Sequence, residues 1–293
     1  MARLSESELV LNQDGSVYHL KLQPEQIAPV IILVGDPGRV EAVSKHFDRV
    51  EIKTQNREII THTGYCNRRH LTVMSTGMGT DNIDIIVNEL DALVNIDLKS
   101  REVKGNLTSL KLIRIGTSGA VQPEIALNSF VASSYAIGLD GLLHFYSTNH
   151  QVFDKHMANA FSKHMQWPAE MAAPYAVKAS SKLLQHLGYD LLSGITATAP
   201  GFYAPQGRKL RLGYSIPDMN LHLESFRFDN LKICNFEMET SALYGLAGLL
   251  GHEALTVCVA IANRHTKDFN KDYKAYIDRL IQLTLERITS MPE

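Results

Sequence analysis

Between Gly201 and Arg208 the chain reads GFYAPQGR, which places an aromatic pair, a primary amide and a guanidinium inside eight residues. A flat apolar face, an amide that both donates and accepts, and a forked cation are parts from which a polar ligand site can be built. Gly201 and Pro205 resist a helix or a central strand, so the stretch is expected in a loop. A solvated surface turn would use the same residues, and nothing within the stretch separates the two readings.

Other junctions put glycine beside a cation or a hydroxyl. GDPGR (35–39) lets a ligand approach the backbone at Gly35 and offers Arg39 as a fork for phosphate or carboxylate; a turn with a solvated Arg is the alternative. RIGTSGA (114–120) sets Arg114 on an apolar stretch, where a charge is costly without an anion beside it, and adds the Thr117 hydroxyl. That anion is either a ligand or an acid of the chain itself. NFEMETSAL (235–243) carries Glu237 and Glu239 around Met238. Acids favour the start of a helix through its dipole. A carboxylate at a pocket rim would equally accept hydrogen bonds from vicinal sugar hydroxyls, with Met238 as an adaptable apolar surface.

Several chemistries find no support. No Gly-Lys-Ser/Thr follows the Gly35 turn, so it is not a P-loop. STGMGTDN (75–82) has the first two glycines of a dinucleotide fingerprint but Asn82 in place of the third. His62, Cys66 and His70 are spaced four apart, yet Gly64 between them speaks against the helix that would align them on a metal. No Gly-x-Ser-x-Gly elbow is present for a catalytic triad.

The elements that must hold these residues read as α/β. APVIILVG (28–35), HLTVMSTG (70–77), SFVASSYAI (129–137) and LTVCVAIAN (255–263) are apolar enough for buried strands. LKLIRIGTSGA (110–120) reads as a strand running into a glycine turn. Helices are expected over RVEAVSKHF (39–47), over 83–94, where Ile83, Ile86, Val87 and Leu90 share a face, over EMETSALYGLAGLLG (237–251), and at the C-terminal end, where Ile277, Leu280, Ile281, Leu285 and Ile288 form a stripe. Residues 1–16 read as an N-terminal extension and 96–110 as a connecting excursion of a single domain spanning 1–293.

The 293 residues are 45% hydrophobic and 20% charged, with a formal net charge of -2, a balance that offers no basic face for nucleic acid. An odd set of three cysteines argues for a reducing compartment. There is no secretory signal and no apolar run of membrane-spanning length. A cytoplasmic protein with no membrane partner is expected.

Taken in order, VGDPGRVEAVSKHFD, NRE, STGMG, RIGTSGAVQPEI, GLDGLLHFY, FYAPQGR, NFEMETSALYGLAGLLG and VAIANR resemble the uridine phosphorylases of the nucleoside phosphorylase family, over roughly residues 17 to 290. The resemblance implies a single α/β domain with a central, mixed, twisted and partly barrel-like sheet flanked by helices. It also implies phosphorolysis of uridine to uracil and ribose 1-phosphate in pyrimidine salvage. Gly35, Arg39, Arg114 and Thr117 would then hold phosphate, Met238 and Glu239 the ribose, and Phe202, Gln206, Arg208 and Arg264 the base. Arg57 in NRE and His19 in VYHLKL match residues that such enzymes lend to the neighbouring subunit's phosphate and ribose 5′-hydroxyl. A homo-oligomer, dimer or hexamer, with shared sites is therefore implied.

In this scheme Phe202 packs on uracil, the Gln206 amide donates to O2 and accepts from N3–H, and Arg208 donates towards O4. Phosphate attacks C1′ while the bond to N1 breaks. Arg39 and Arg114 act on the nucleophile, and Gln206 and Arg208 on the charge developing in the base. No metal or organic cofactor enters, phosphate being a co-substrate. Glu58 matches part of a monovalent-cation site, but Asn82 stands where its Ser would be, which counts against that ion. Purine enzymes of the family carry an Asp after the late strand; AIANR has none, which favours a pyrimidine. A purine or broad-specificity phosphorylase, a nucleosidase using water, and a nucleoside-binding protein without catalysis are the alternatives. The Thr80-Asp81-Asn82 departure keeps the last of these open.

Overall fold

The apolar, β-branched runs become the inner strands of one mixed sheet in the computed structural model, which describes residues 3–292. In chain order the strands are β1 (Val30–Val34), β2 (Arg49–Asn56), β3 (Ile59–Cys66), β4 (Arg69–Ser75), β5 (Ile96–Asp97), β6 (Glu102–Val103), β7 (Lys111–Ala120), β8 (Phe130–Gly138), β9 (Tyr175–Lys178), β10 (Leu192–Thr198), β11 (Arg227–Phe228), β12 (Leu231–Glu237) and β13 (Glu253–Asn263). The helices are α1 (Gly38–Ser44), α2 (Thr80–Asn95), α3 (Lys155–His164), α4 (Ser181–Leu187), α5 (Met219–Ser225), α6 (Thr240–Leu250) and α7 (Lys274–Ser290).

The main sheet runs β11-β12-β10-β8-β13-β7-β1-β4-β3-β2, with β9 added to β8. β7 also reaches β12, where Gly119 and Ala120 pair antiparallel with Phe236 and Asn235. This extra ladder closes β12, β10, β8, β13 and β7 into a ring, while β1, β4, β3 and β2 extend from it as an open wing. The expected partly barrel-like α/β domain is the one observed.

Burial follows the pattern of the sequence. All five residues of β1 are buried, as a parallel strand covered on both faces requires. β2, at the sheet edge, has no fully buried residue. α2 turns Ile83, Ile86, Val87 and Leu90 inward, and α6 is buried along Thr240–Ala247. α7 lays Ile277, Leu280, Ile281, Leu285 and Ile288 inward and packs on β7 and β13, with α1 and α4 beside it.

Two segments differ from the expectation. GTSGA is strand, not turn, because β7 runs on to Ala120 with β13 along one side and β12 along the other. Residues 237–239 end β12 and cap α6 instead of opening the helix. The 96–110 excursion contains the small hairpin β5–β6, and Arg101 in its turn accepts from the Leu4 amide at its carbonyl and donates from its guanidinium to the Leu9 carbonyl. Excursion and N-terminal extension thus hold one another.

The register decides where the site forms. β1 is parallel to β4 and β7, and Val34 is level with Ser75 and with Ile115. The loops starting at Gly35 and Thr76 and the second half of β7 therefore share the carboxyl end of the sheet, where ligands of α/β folds gather.

Candidate functional site

Arg114 is only 4% exposed. Its Nη2 donates to Glu239, and its Nη1 lies 3.4 Å from Glu237 Oε2. Burial opposes the charge, but Glu239 and Glu237 outweigh it and hold the guanidinium protonated well beyond its ordinary range. Of the two anions left open for Arg114, the chain supplies its own. Gly116 is what admits the guanidinium: a Cβ there would overlap Nη1 and lie 3.0 Å from Cys258 Sγ.

Arg39, in the first turn of α1, reaches over the same strand and donates from Nη1 to the Ile115 carbonyl at 3.3 Å. Its pKa is depressed, by burial first and by the nearby Arg114 second. Thr117 follows, half-buried, and Gly35 faces Gly77, whose carbonyl would be 3.4 Å from a Gly35 Cβ. Four residues from two separate junctions are thus grouped around the end of β1 and the middle of β7.

The two glutamates divide the roles that sequence left undivided. Glu237 accepts from the Glu239 and Thr240 amides at 2.9–3.1 Å and from the Thr198 hydroxyl at 2.7 Å, so it satisfies the free N–H groups at the start of α6. Glu239 accepts from Arg114 and from the Gly79 amide at 2.9 Å, which brings the N-terminus of α2 to the same carboxylate. Burial raises its pKa, Arg114 lowers it, and the like charge of Glu237 raises it again; the net direction is up. Met238 lies half-buried between them.

The 201–208 loop leaves β10 just after Thr198. A single 3-10 turn spans Ala204–Gln206, and Gly207 takes a left-handed φ of 65°. Phe202 is half-exposed, with the Arg208 guanidinium 3.6 Å from its ring centroid. Gln206 is buried, and its Oε1 accepts from Arg208 Nη1 at 2.7 Å and from Arg264 Nη2 at 2.9 Å. Both lone pairs of that oxygen are therefore taken, and the amide NH2, with no partner among the described residues, is the half left to donate. For Gln206 to accept a hydrogen bond from a base as well, one of the two guanidiniums must first leave its oxygen. The ring face of Phe202, expected to carry the base, carries Arg208. Burial pushes Arg208 and Arg264 each down to about 10, the proximity of Arg208 adding to the effect on Arg264. Arg264 is anchored on β7 by its amide, which donates to the Ala120 carbonyl, and its Nε would be 3.2 Å from a Cβ on Gly119. Asn263 is spent on structure, bonding the Gln122 and Ile125 carbonyls and the His265 and Thr266 amides.

Arg57 and His19 do not join this group within one chain. Arg57 is exposed in the turn between β2 and β3, 5.8 Å from the Tyr18 ring centroid. His19 Nδ1 lies 2.6 Å from Glu89 Oε1, and the His19 and Leu20 amides bond the same carboxylate at 2.8–3.0 Å. A carboxylate can only accept, so Nδ1 carries a proton and Nε2 is left without a partner among the described residues. Glu58 and Asn82 flank Gly77, and the Asn82 amide donates to the Met78 carbonyl at 3.1 Å. Among the described residues no group of three or more His, Cys, Asp or Glu could hold a metal ion.

A family model described as the phosphorylase superfamily matches residues 29–289. The chain belongs to that superfamily. It is 31% identical over 265 residues to a uridine phosphorylase of Thermococcus kodakarensis, covering 88% of this chain and 82% of that protein. A DeoD-type purine nucleoside phosphorylase of Colwellia psychrerythraea is 26% identical over 273 residues, 92% of this chain and 98% of that one. A solved Trypanosoma brucei nucleoside phosphorylase, described as showing uridine phosphorylase activity, superposes with a TM-score of 0.89 at 30% identity, covering 97% of this chain and all of that one.

For a superfamily member the grouping has a chemical sense. A cationic cradle (Arg39, Arg114) adjoins a carboxylate able to take a diol (Glu239), and β10, whose Thr198 hydroxyl bonds Glu237 on β12, leads on to an amide gripped by two guanidiniums. Thr198 and Glu89, which position these groups, carry no local signal: one ends an ordinary strand, the other is a polar position in an amphipathic helix. Asp140 belongs to the same hidden set, accepting at 2.8 Å from the buried Tyr175 hydroxyl and at 3.0 Å from Ser241 in α6.

Proposed function

We infer that this chain is an enzyme of pyrimidine salvage, a pentosyltransferase that cleaves uridine with phosphate to give uracil and ribose 1-phosphate. The observation that carries the reading is the meeting of Arg39 and Arg114 with Glu239 at the carboxyl end of the sheet.

Arg39 and Arg114, with the Gly35 backbone and Thr117, hold phosphate below the sugar and strip its hydration. Phosphate competes with Glu239 for Arg114, and Glu239 turns to the 2′- and 3′-hydroxyls beside Met238. Arg208 leaves the Phe202 face as uracil arrives, and the Gln206 NH2 donates to the base. As the C1′–N1 bond breaks, negative charge spreads onto the uracil carbonyls. Two guanidiniums with no described carboxylate to share are placed to receive it. No step runs through a metal or an organic cofactor.

Arg57 and His19 are assigned to the site of a neighbouring copy, so the working unit is at least a dimer. No described helix is long and apolar enough to cross a membrane; we place the reaction in the cytoplasm.

The test is uracil release from uridine with and without phosphate, repeated with thymidine and inosine. Release that requires phosphate and prefers the pyrimidines is expected. Release without phosphate would make the chain a nucleosidase, preference for inosine a purine enzyme, and no release a binding protein.

A further inference from the structure

Far from Arg114, the amino ends of β1 and β7 and the β3–β4 turn border an open cavity of about 510 Å³. Val30 is level with Lys111 and with Leu71, so the length of β1, about 13 Å at the usual strand rise, separates this place from the Gly35 end. Arg68, Arg69, His70 and Lys111 line it, and no described carboxylate does. None of the three permanent cations forms an ion pair with a described acid. Glu253, opposite Lys111 in register, lies instead 3.4 Å from Lys182. Arg69 Nη2 donates to the Met291 carbonyl and fixes the turn against the end of α7. The His70 ring is stacked on Tyr65, centroids 4.8 Å apart.

The turn itself points the same way. Asn67 and Arg68 alone join β3 to β4, with φ of 47° and 67°. Two left-handed residues in a two-residue hairpin are the type I′ geometry, whose second position favours Gly. Arg68 holds it under backbone strain that Gly would relieve, and strain kept at an exposed turn suggests work for the side chain.

We propose that this cavity is a second ligand site, separate from the catalytic end, that takes a nucleotide. Arg68 and Lys111 receive the phosphate ester, and the stacked His70 supplies a flat face for the base. The volume lies in the range of small-molecule sites and exceeds what a bare phosphate fills. The inference does not rest on the reaction assigned above.

The experiment is calorimetric titration of the full chain with UMP in saturating uracil, which occupies the base pocket of the catalytic end. One UMP per chain is expected. Arg68→Gly and Lys111→Gln should each weaken it at least tenfold without changing uridine turnover. Arg68→Gly should also melt higher than the parent, since it removes the strained residue, so lost binding cannot be lost folding. Absence of UMP binding in the parent chain, or equal affinity in both variants, would overturn the proposal. Inorganic phosphate binding as tightly as UMP would overturn the nucleotide assignment.

Discussion

Arg114 and Glu239 form an ion pair shut away from water, one in the middle of β7 and the other at the N-cap of α6. Removing Arg114 leaves Glu237 and Glu239 buried without their cation, and breaking a buried pair from one side costs about 3–5 kcal/mol. Glu239→Gln keeps an acceptor for the guanidinium and leaves Glu237 as its counter-charge. Arg114→Ala is therefore expected to lose both phosphorolysis and much of its stability, and Glu239→Gln to lose activity with far less destabilisation. Urea denaturation of the two variants reads the difference; equal losses would mean that Glu237 does not hold Arg114 alone.

Arg208 and Arg264 present the opposite case, two cations on one amide oxygen with no described acid to balance them. Arg208→Ala is expected to lower uridine turnover by at least about two orders of magnitude, the scale of losing one charge-stabilising donor. Arg264→Gln should lower activity too, yet raise stability at pH 7 by on the order of 1 kcal/mol, as relief of a functional strain does. The sign follows from the depressed value. Burial pushes Arg264 down to about 10 in the fold, below its ordinary 12.5, so the unfolded chain holds that proton more firmly. The penalty is complete below pH 10 and fades as pH rises through it. Denaturation at pH 7 and pH 10.5 should show the advantage of the variant shrinking; a constant advantage would place its origin elsewhere.

Much of this arrangement was legible in the chain, and the limits have physical causes. The strands β1, β4, β8 and β13 announce themselves because burial on both faces demands continuous apolar runs, and Arg114 stands out as a charge within one. The GTSGA segment misleads because its glycines serve close approach and not turning: Gly116 admits Arg114 and Gly119 admits Arg264. β2 has an alternating, half-exposed pattern, and β3, though mostly buried, is interrupted by Thr, His and Gly, so that only pairing turns the two into a hairpin. The division of labour between Glu237 and Glu239 depends on the Thr198 hydroxyl, a residue 39 positions away, and no local pattern carries it.

Gly116 offers a test of the cradle that leaves every charged side chain in place. A methyl group there must push against Arg114 Nη1, with Cys258 Sγ 3.0 Å away closing the other side. Gly116→Ala is expected to raise the KM for phosphate roughly tenfold or more, a loss of about 1.4 kcal/mol or greater, with a smaller effect on the KM for uridine. Steady-state kinetics varying each substrate in turn checks this. An unchanged phosphate KM would remove Arg114 from the phosphate site.

His19 and Arg57 give the sharing of sites a direct test. Glu89 fixes the His19 ring through Nδ1, while the Arg57 guanidinium is exposed beside Tyr18 and apart from Arg39 and Arg114 of its own chain. If a neighbour's site uses Arg57, the Arg57→Ala and Arg114→Ala variants fail for different reasons. In a hybrid dimer both faults fall on one site, and the other is assembled from two intact contributions. Mixing the two inactive variants under conditions that exchange subunits should then restore activity, to about a quarter of the parent level for random pairing into two-fold dimers. Arg57→Ala retaining full activity, or a mixture as inactive as its components despite proven exchange, would return Arg57 to the solvent-facing turn where one chain places it.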